Sequence, residues 1–173
     1  MDYREHLRQP LSKHFVDHLA QEIFIHPEDF NLVYQLIFDT DEKVAWRAAW
    51  SCQKISEKQP NLFHEEQFQQ IATLAISTSH DGLHRGCLCV LNNLPIPNPI
   101  PVELLNHCFD WMISTKSPIA VQALSLKLLY KFCQVEPDLI PELKAYLENF
   151  ETGELSAGMI ATRKNILKQL NRK

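Results

Sequence analysis

Apolar residues return along this chain in one spacing, i, i+4, i+5, i+8 and i+11, which puts them on a single stripe of an α-helix. One copy reads Val44, Ala48, Ala49, Cys52 and Ile55, the next Leu83, Cys87, Leu88, Leu91 and Leu94, and the next Val121, Ser125, Leu126, Leu129 and Phe132. An earlier copy opens with Leu11, Phe15, Val16 and Leu19 and is broken by Glu22 at its last position. The copies start 33, 39 and 38 residues apart. That period marks a helical repeat array, in which each unit buries its apolar face only against its neighbours. A second set of lines falls between the first: Phe30, Val33, Leu36, Ile37; Phe68, Ile71, Leu74, Ala75; Val102, Leu105, Phe109, Met112; and Ile140, Leu143, Leu147, Phe150. Helices therefore alternate in pairs.

The punctuation agrees. Pro27, Pro60, Pro97 and Pro137 each follow a core helix, and proline cannot continue a helix but can open the next. Residues 95–101 hold four prolines, which predicts an extended linker. Asp39 with Glu42 fits a variant capping box, Ser117 precedes Pro118, and Ser156 opens the last helix. The spacing predicts helices over 12–25, 28–38, 42–58, 64–78, 82–94, 102–114, 118–135, 139–150 and 156–171. The last carries Ile160, Leu167 and Leu170, with Arg163 and Lys164 intruding, as suits a terminal unit whose outer face has no neighbour.

The run Asp41, Val44, Arg47, Ala48, Ala49 resembles the second helix of HEAT repeats. Asp81 with Arg85 is a looser echo, and the fourth copy, with Pro118 and Leu124, lacks both residues. The resemblance implies that Asp41 caps its helix and that Arg47 ties neighbouring repeats. Together with the period it gives an all-α expectation: a HEAT-like or armadillo-like alpha-alpha superhelix, with an N-terminal helix and about four antiparallel helix pairs. The whole of 1–173 is expected to be one such domain.

Composition narrows the chemistry. The 173 residues are 45% hydrophobic and 22% charged, with a formal net charge of −4. A dedicated nucleic-acid domain is usually basic. Only four glycines occur, and none builds a phosphate-cradling loop. Five cysteines, an odd number without a Cys-x-x-Cys pair, read as buried reduced thiols and point to a cytoplasmic chain. Residues 1–10 lack an apolar signal core, and no apolar run reaches membrane-spanning length, so no membrane partner is expected.

No catalytic constellation is expected. Ser79, His80 and Asp81 are neighbours in sequence and cannot face one another as a triad does. Glu65 and Glu66 point about 100° apart on a helix. The pairs His14/His18 and His80/His84 have metal-compatible spacing, but a stable site wants three or four ligands, so no metal and no cofactor is assigned.

The residues opposite the core stripes are more informative. On the helix at 42–58 these are Trp46, Trp50 and Lys54, flanked by Arg47. The equivalent places are Arg85, Cys89 and Asn93, then Ala123, Lys127 and Lys131. HEAT-like arrays line their concave side with these second helices. Trp46, Arg47, Trp50, Arg85, Lys127 and Lys131 are therefore the expected partner-binding residues, aromatic at one end and basic at the other. The competing expectation packs the tryptophans against a neighbouring helix. The function that follows is a non-enzymatic scaffold for a protein segment, acidic and apolar. The alternative is nucleic-acid binding, since some HEAT-like proteins of similar architecture are alkylpurine DNA glycosylases. This chain departs from them in being short, net acidic and without an Asp beside the tryptophans.

Overall fold

The computed structural model describes residues 1–10, 12–150 and 155–172. Among them no strand occurs, and the helices are α1 (Tyr3–Arg8), α2 (Lys13–Ile25), α3 (Phe30–Gln35), α4 (Glu42–Lys58), α5 (Glu65–Ser77), α6 (Asp81–Asn93), α7 (Val102–Ile113), α8 (Ile119–Val135), α9 (Ile140–Glu148) and α10 (Ala157–Leu170). The fold is an all-α helical repeat. The chain forms two compact units, Met1–Pro95 and Ile96–Lys173, divided inside the proline-rich linker. No helix among the described residues is long and apolar enough to cross a membrane.

In the first unit α2, α4 and α6 lie side by side, with α3 packed on α4 and α5 on α6. The α4 and α6 helices run in the same direction. A side chain begun at Gly82 would approach Trp46, one at Gly86 would approach Ala49, and Asn93 reaches Gln53 and Ser56. The outer layer repeats the arrangement: Tyr34 on α3 donates to Gln70 Oε1 on α5 at 2.6 Å, and Phe63 packs edge-on against Phe30 at 4.7 Å. In the second unit α7 packs on α8, and α10 lies against both α8 and α9.

The stripes are the core. Val44, Ala48, Ala49, Cys52 and Ile55 are buried, as are Leu83, Cys87, Leu88, Leu91 and Leu94, and Val121, Ser125, Leu126, Leu129 and Phe132. Three prolines act as expected: Pro27, Pro60 and Pro137 each open a short 3-10 turn. In the predicted helix 28–38 only Phe30–Gln35 is α-helical, and tight 3-10 turns flank it on both sides.

Several expectations are corrected. The first stripe is Val16, Leu19, Ala20 and Ile23, with Phe15 half-buried, so Glu22 falls outside the core line rather than breaking it. Leu11 lies outside the described residues. The cap of α4 is Asp41, whose carboxylate accepts from the Lys43 N–H at 3.0 Å, while Asp39 binds Arg4. Pro118, without a side-chain cap, stands at the start of α8, whereas Ser156 caps α10 through the Met159 N–H at 3.1 Å. The buried line of α7 centres on Leu104, Cys108 and Met112, leaving Val102 exposed in the first turn. On α10 it is Met159, Ile166 and Leu170, and Ile160 faces outward. Arg163 does not intrude; its Nε donates to the Leu147 carbonyl at the end of α9 at 2.5 Å.

Helix α1 was not expected. Its signals are short: Asp2 caps it by accepting from the Glu5 N–H at 3.0 Å, and Tyr3 and Leu7, four apart, are buried.

Candidate partner-binding surface

Trp46 and Trp50 stand one turn apart on α4, on the side away from its buried stripe, and both are half-buried. Their rings lie nearly parallel, 14° apart with centroids at 6.1 Å, in an offset stack. A third ring extends it. His80 lies at 16° to Trp46 with centroids 6.4 Å apart.

Local structure holds His80 in place. It is the N-cap of α6, and its Nδ1 accepts from the Leu83 N–H at 3.0 Å, which leaves the ring proton on Nε2. A Cβ at residue 82 would come within 3.0 Å of His80 Cε1 and 3.8 Å of Trp46 Cβ, so the glycine there leaves room for the rings to meet. Neither His80 nor Gly82 was expected at this surface. The cap position of His80 was legible, but its ring contact depends on how α4 and α6 align.

Arg47 lies beside the stack, its Cζ 5.7 Å from the centroid of Trp46, a distance at which a cation is attracted to the ring face. Its Nη1 also donates to two carbonyls at the end of α1, Leu7 at 2.7 Å and Gln9 at 2.8 Å. Its Nε is buried without a hydrogen-bond partner. Arg47 thus ties α4 to the end of α1, where the resemblance had implied a tie between neighbouring repeats, and touches the tryptophan face as well.

Arg85 is exposed on α6. Lys54, in line with the tryptophans, pairs with Glu57 at 3.0 Å, and Asn93 donates to Ser56 Oγ at 2.9 Å. In the second unit Lys127 is exposed on α8 and Lys131, one turn on, is half-buried, where loss of solvent lowers its pKa. The same unit holds an open cleft of about 840 Å³ between the end of α7, the start of α8 and α9, with Ile113, Ile119, Tyr146 and Phe150 in its walls.

Among the described residues no group of three His, Cys, Asp or Glu side chains converges as a metal site would require. His14 and His18 are both exposed on α2, and His18 approaches Glu22 at 3.9 Å. The thiols of Cys52, Cys87 and Cys108 are raised by burial, Cys87 to about 12, so none of them is an activated nucleophile.

No curated protein and no solved structure matches the chain. A family model does, that of the HEAT repeat domain, over residues 3–170, in agreement with the paired helices and the stripes that bury them. The chain belongs to the HEAT repeat domain family.

Proposed function

We propose that this protein is a non-enzymatic scaffold whose repeat surface binds a segment of a protein partner, acidic and apolar in character, in the cytoplasm. HEAT repeats generally serve as protein-interaction scaffolds, and the finer reading rests on one observation: the half-buried stack of Trp50, Trp46 and His80. Aromatic rings left partly wet on a helix face are anchors awaiting cover, and Trp and Arg are the residue types that dominate binding hot spots. Arg85, exposed on the neighbouring helix, would meet an acidic residue beside the anchor; Lys127 and Lys131 are proposed separately as partner contacts of the second unit. We take residues 1–173 as one functional array, and the free cysteines, buried at Cys52, Cys87, Cys108 and Cys133 and half-buried at Cys89, support the compartment.

The experiment is affinity capture with the wild-type chain and with Trp50→Ala/Arg85→Glu, after checking that both melt alike. Loss of the captured protein from a folded double variant supports the surface. Undiminished capture refutes it. Duplex DNA binding at two salt concentrations runs alongside. A steep salt slope would replace this reading with nucleic-acid recognition, against which the net charge of −4 weighs.

A further inference from the structure

We propose that α1 is a detachable latch over α4, and that its docking holds Arg47 in place against the tryptophan stack. This rests on the surface proposed above and concerns its regulation.

Arg47 links α1 to the tryptophan stack. One nitrogen, Nη1, donates both bonds to carbonyls at the end of α1, Leu7 and Gln9, while the guanidinium carbon sits 5.7 Å from the Trp46 centroid. Removing α1 takes away both acceptors at once. The guanidinium is then free to turn from the ring toward other acceptors, such as carboxylates of a bound segment. The docked arrangement already leaves Nε buried and unbonded, which favours a partner that could satisfy the whole fork.

The helix is built to be released. A run of six residues, Tyr3–Arg8, is too short to persist as a helix alone, so its structure depends on docking. Two side chains, Tyr3 and Leu7, are buried. His6 stacks on Phe15 of α2 at 4.1 Å, and three further ties reach carboxylates of the first unit. Tyr3 donates to Asp29 at 2.7 Å, and Arg4 forks onto Asp39 at 2.6 and 3.0 Å. Arg8 approaches Asp41 at 3.5 Å. Burial of Tyr3 and Leu7 seats the helix, and the Arg4 and Arg8 pairs near the surface add a part of the attachment that salt and substitution weaken. Docked, α1 holds Arg47 on the Trp46 face; released, it opens that face and frees the cation beside it.

The test needs no partner, so its outcome is independent of whether the partner-binding reading stands. In a Trp111→Phe background, which leaves Trp46 and Trp50 as the emitting residues, Arg4→Ala is compared with the parent. The expected result is faster amide exchange over residues 3–8 by about tenfold and a rise in acrylamide quenching of about twofold. Arg4→Lys, which keeps a cation opposite Asp39 and leaves that carboxylate's bond from the Asp41 N–H intact, should retain most of the parent's protection in both readouts. Should Arg4→Ala fail to fold, the same two readouts on the parent chain at low and high salt decide. Loosening of α1 without a change in quenching overturns the coupling, and unchanged exchange in residues 3–8 overturns the latch.

Discussion

Gly86 on α6 faces Ala49 on α4 so closely that a methyl group added at position 86 would sit 2.9 Å from the Ala49 Cβ. Real carbon atoms do not approach that near, so small residues on both helices set their separation. Gly86→Ala is expected to destabilise the protein by ~1–2 kcal/mol, the clash outweighing the helix propensity that alanine adds. Gly158 on α10 has nothing within 4 Å of its added carbon, so Gly158→Ala should be neutral or gain up to about 1 kcal/mol. Urea melts of the two variants should shift in opposite directions or differ clearly, and equal shifts would show that the close approach is not limiting.

Leu91 is fully buried on the third stripe. Leu91→Ala should cost ~2–5 kcal/mol, from lost transfer energy and the cavity left behind. Lys127→Ala, on an exposed face, should stay within about 0.5 kcal/mol of wild type. A loss below half a kcal/mol for Leu91→Ala would mean that the stripe does not carry the core.

Acid should loosen α1 in two stages. His6 on α1 stacks on Phe15 with centroids 4.1 Å apart, and its pKa is lowered, first by burial and then by the nearby charge of His18. A depressed histidine favours the docked state above its ordinary value near ~6.5, and that stabilisation is lost as pH falls through the lower docked value. Asp39 is also held below the usual carboxylate range, by the Arg4 hydrogen bonds first and then by the Asp41 N–H. Its contribution is present above ~4 and lost only as pH drops below that. Amide exchange of residues 3–8 followed from neutral to acid should show both stages, with His6→Phe abolishing the upper one. A profile that stays flat until carboxylates titrate would assign no role to His6.

Cys52, Cys87 and Cys108 should resist alkylation in the folded protein at mildly alkaline pH. They are buried, and burial raises each thiol, Cys87 to about 12. Mass mapping before and after denaturation checks this. Labelling of Cys52 at the rate of an unfolded thiol would contradict the packing of the second stripe.

The sequence reveals whatever depends on helical period. The span 42–58 matches α4 end to end, and the stripes of α4, α6 and α8 are buried at every position named for them. Period says little where an element is short or where partners come from distant residues. Six residues of α1 hold only two apolar positions, too few to show a stripe. Val102 shares a face with Leu105 and Phe109, and only the packing of α7 decides that Leu104 and Cys108 lie at the centre. Trp46, Trp50 and Arg47 were legible as an outward cluster, whereas His80 joins it from another helix, 34 residues on from Trp46. Its sequence context marks only a cap.

Arg47 and Arg163 fasten their neighbours through main-chain oxygens, at Leu7 and Gln9 in one unit and at Leu147 in the other. A backbone carbonyl has no side-chain identity, so this fastening is blind to which residue supplies it. At an outward position such as Gln9 the amino acid is therefore free to drift while the bond persists. Length is not free in the same way. Inserting or deleting one residue in α1 rotates its terminal carbonyls by about 100° around the helix and carries them away from the guanidinium. Homologous end helices should accordingly vary in composition far more readily than in residue count.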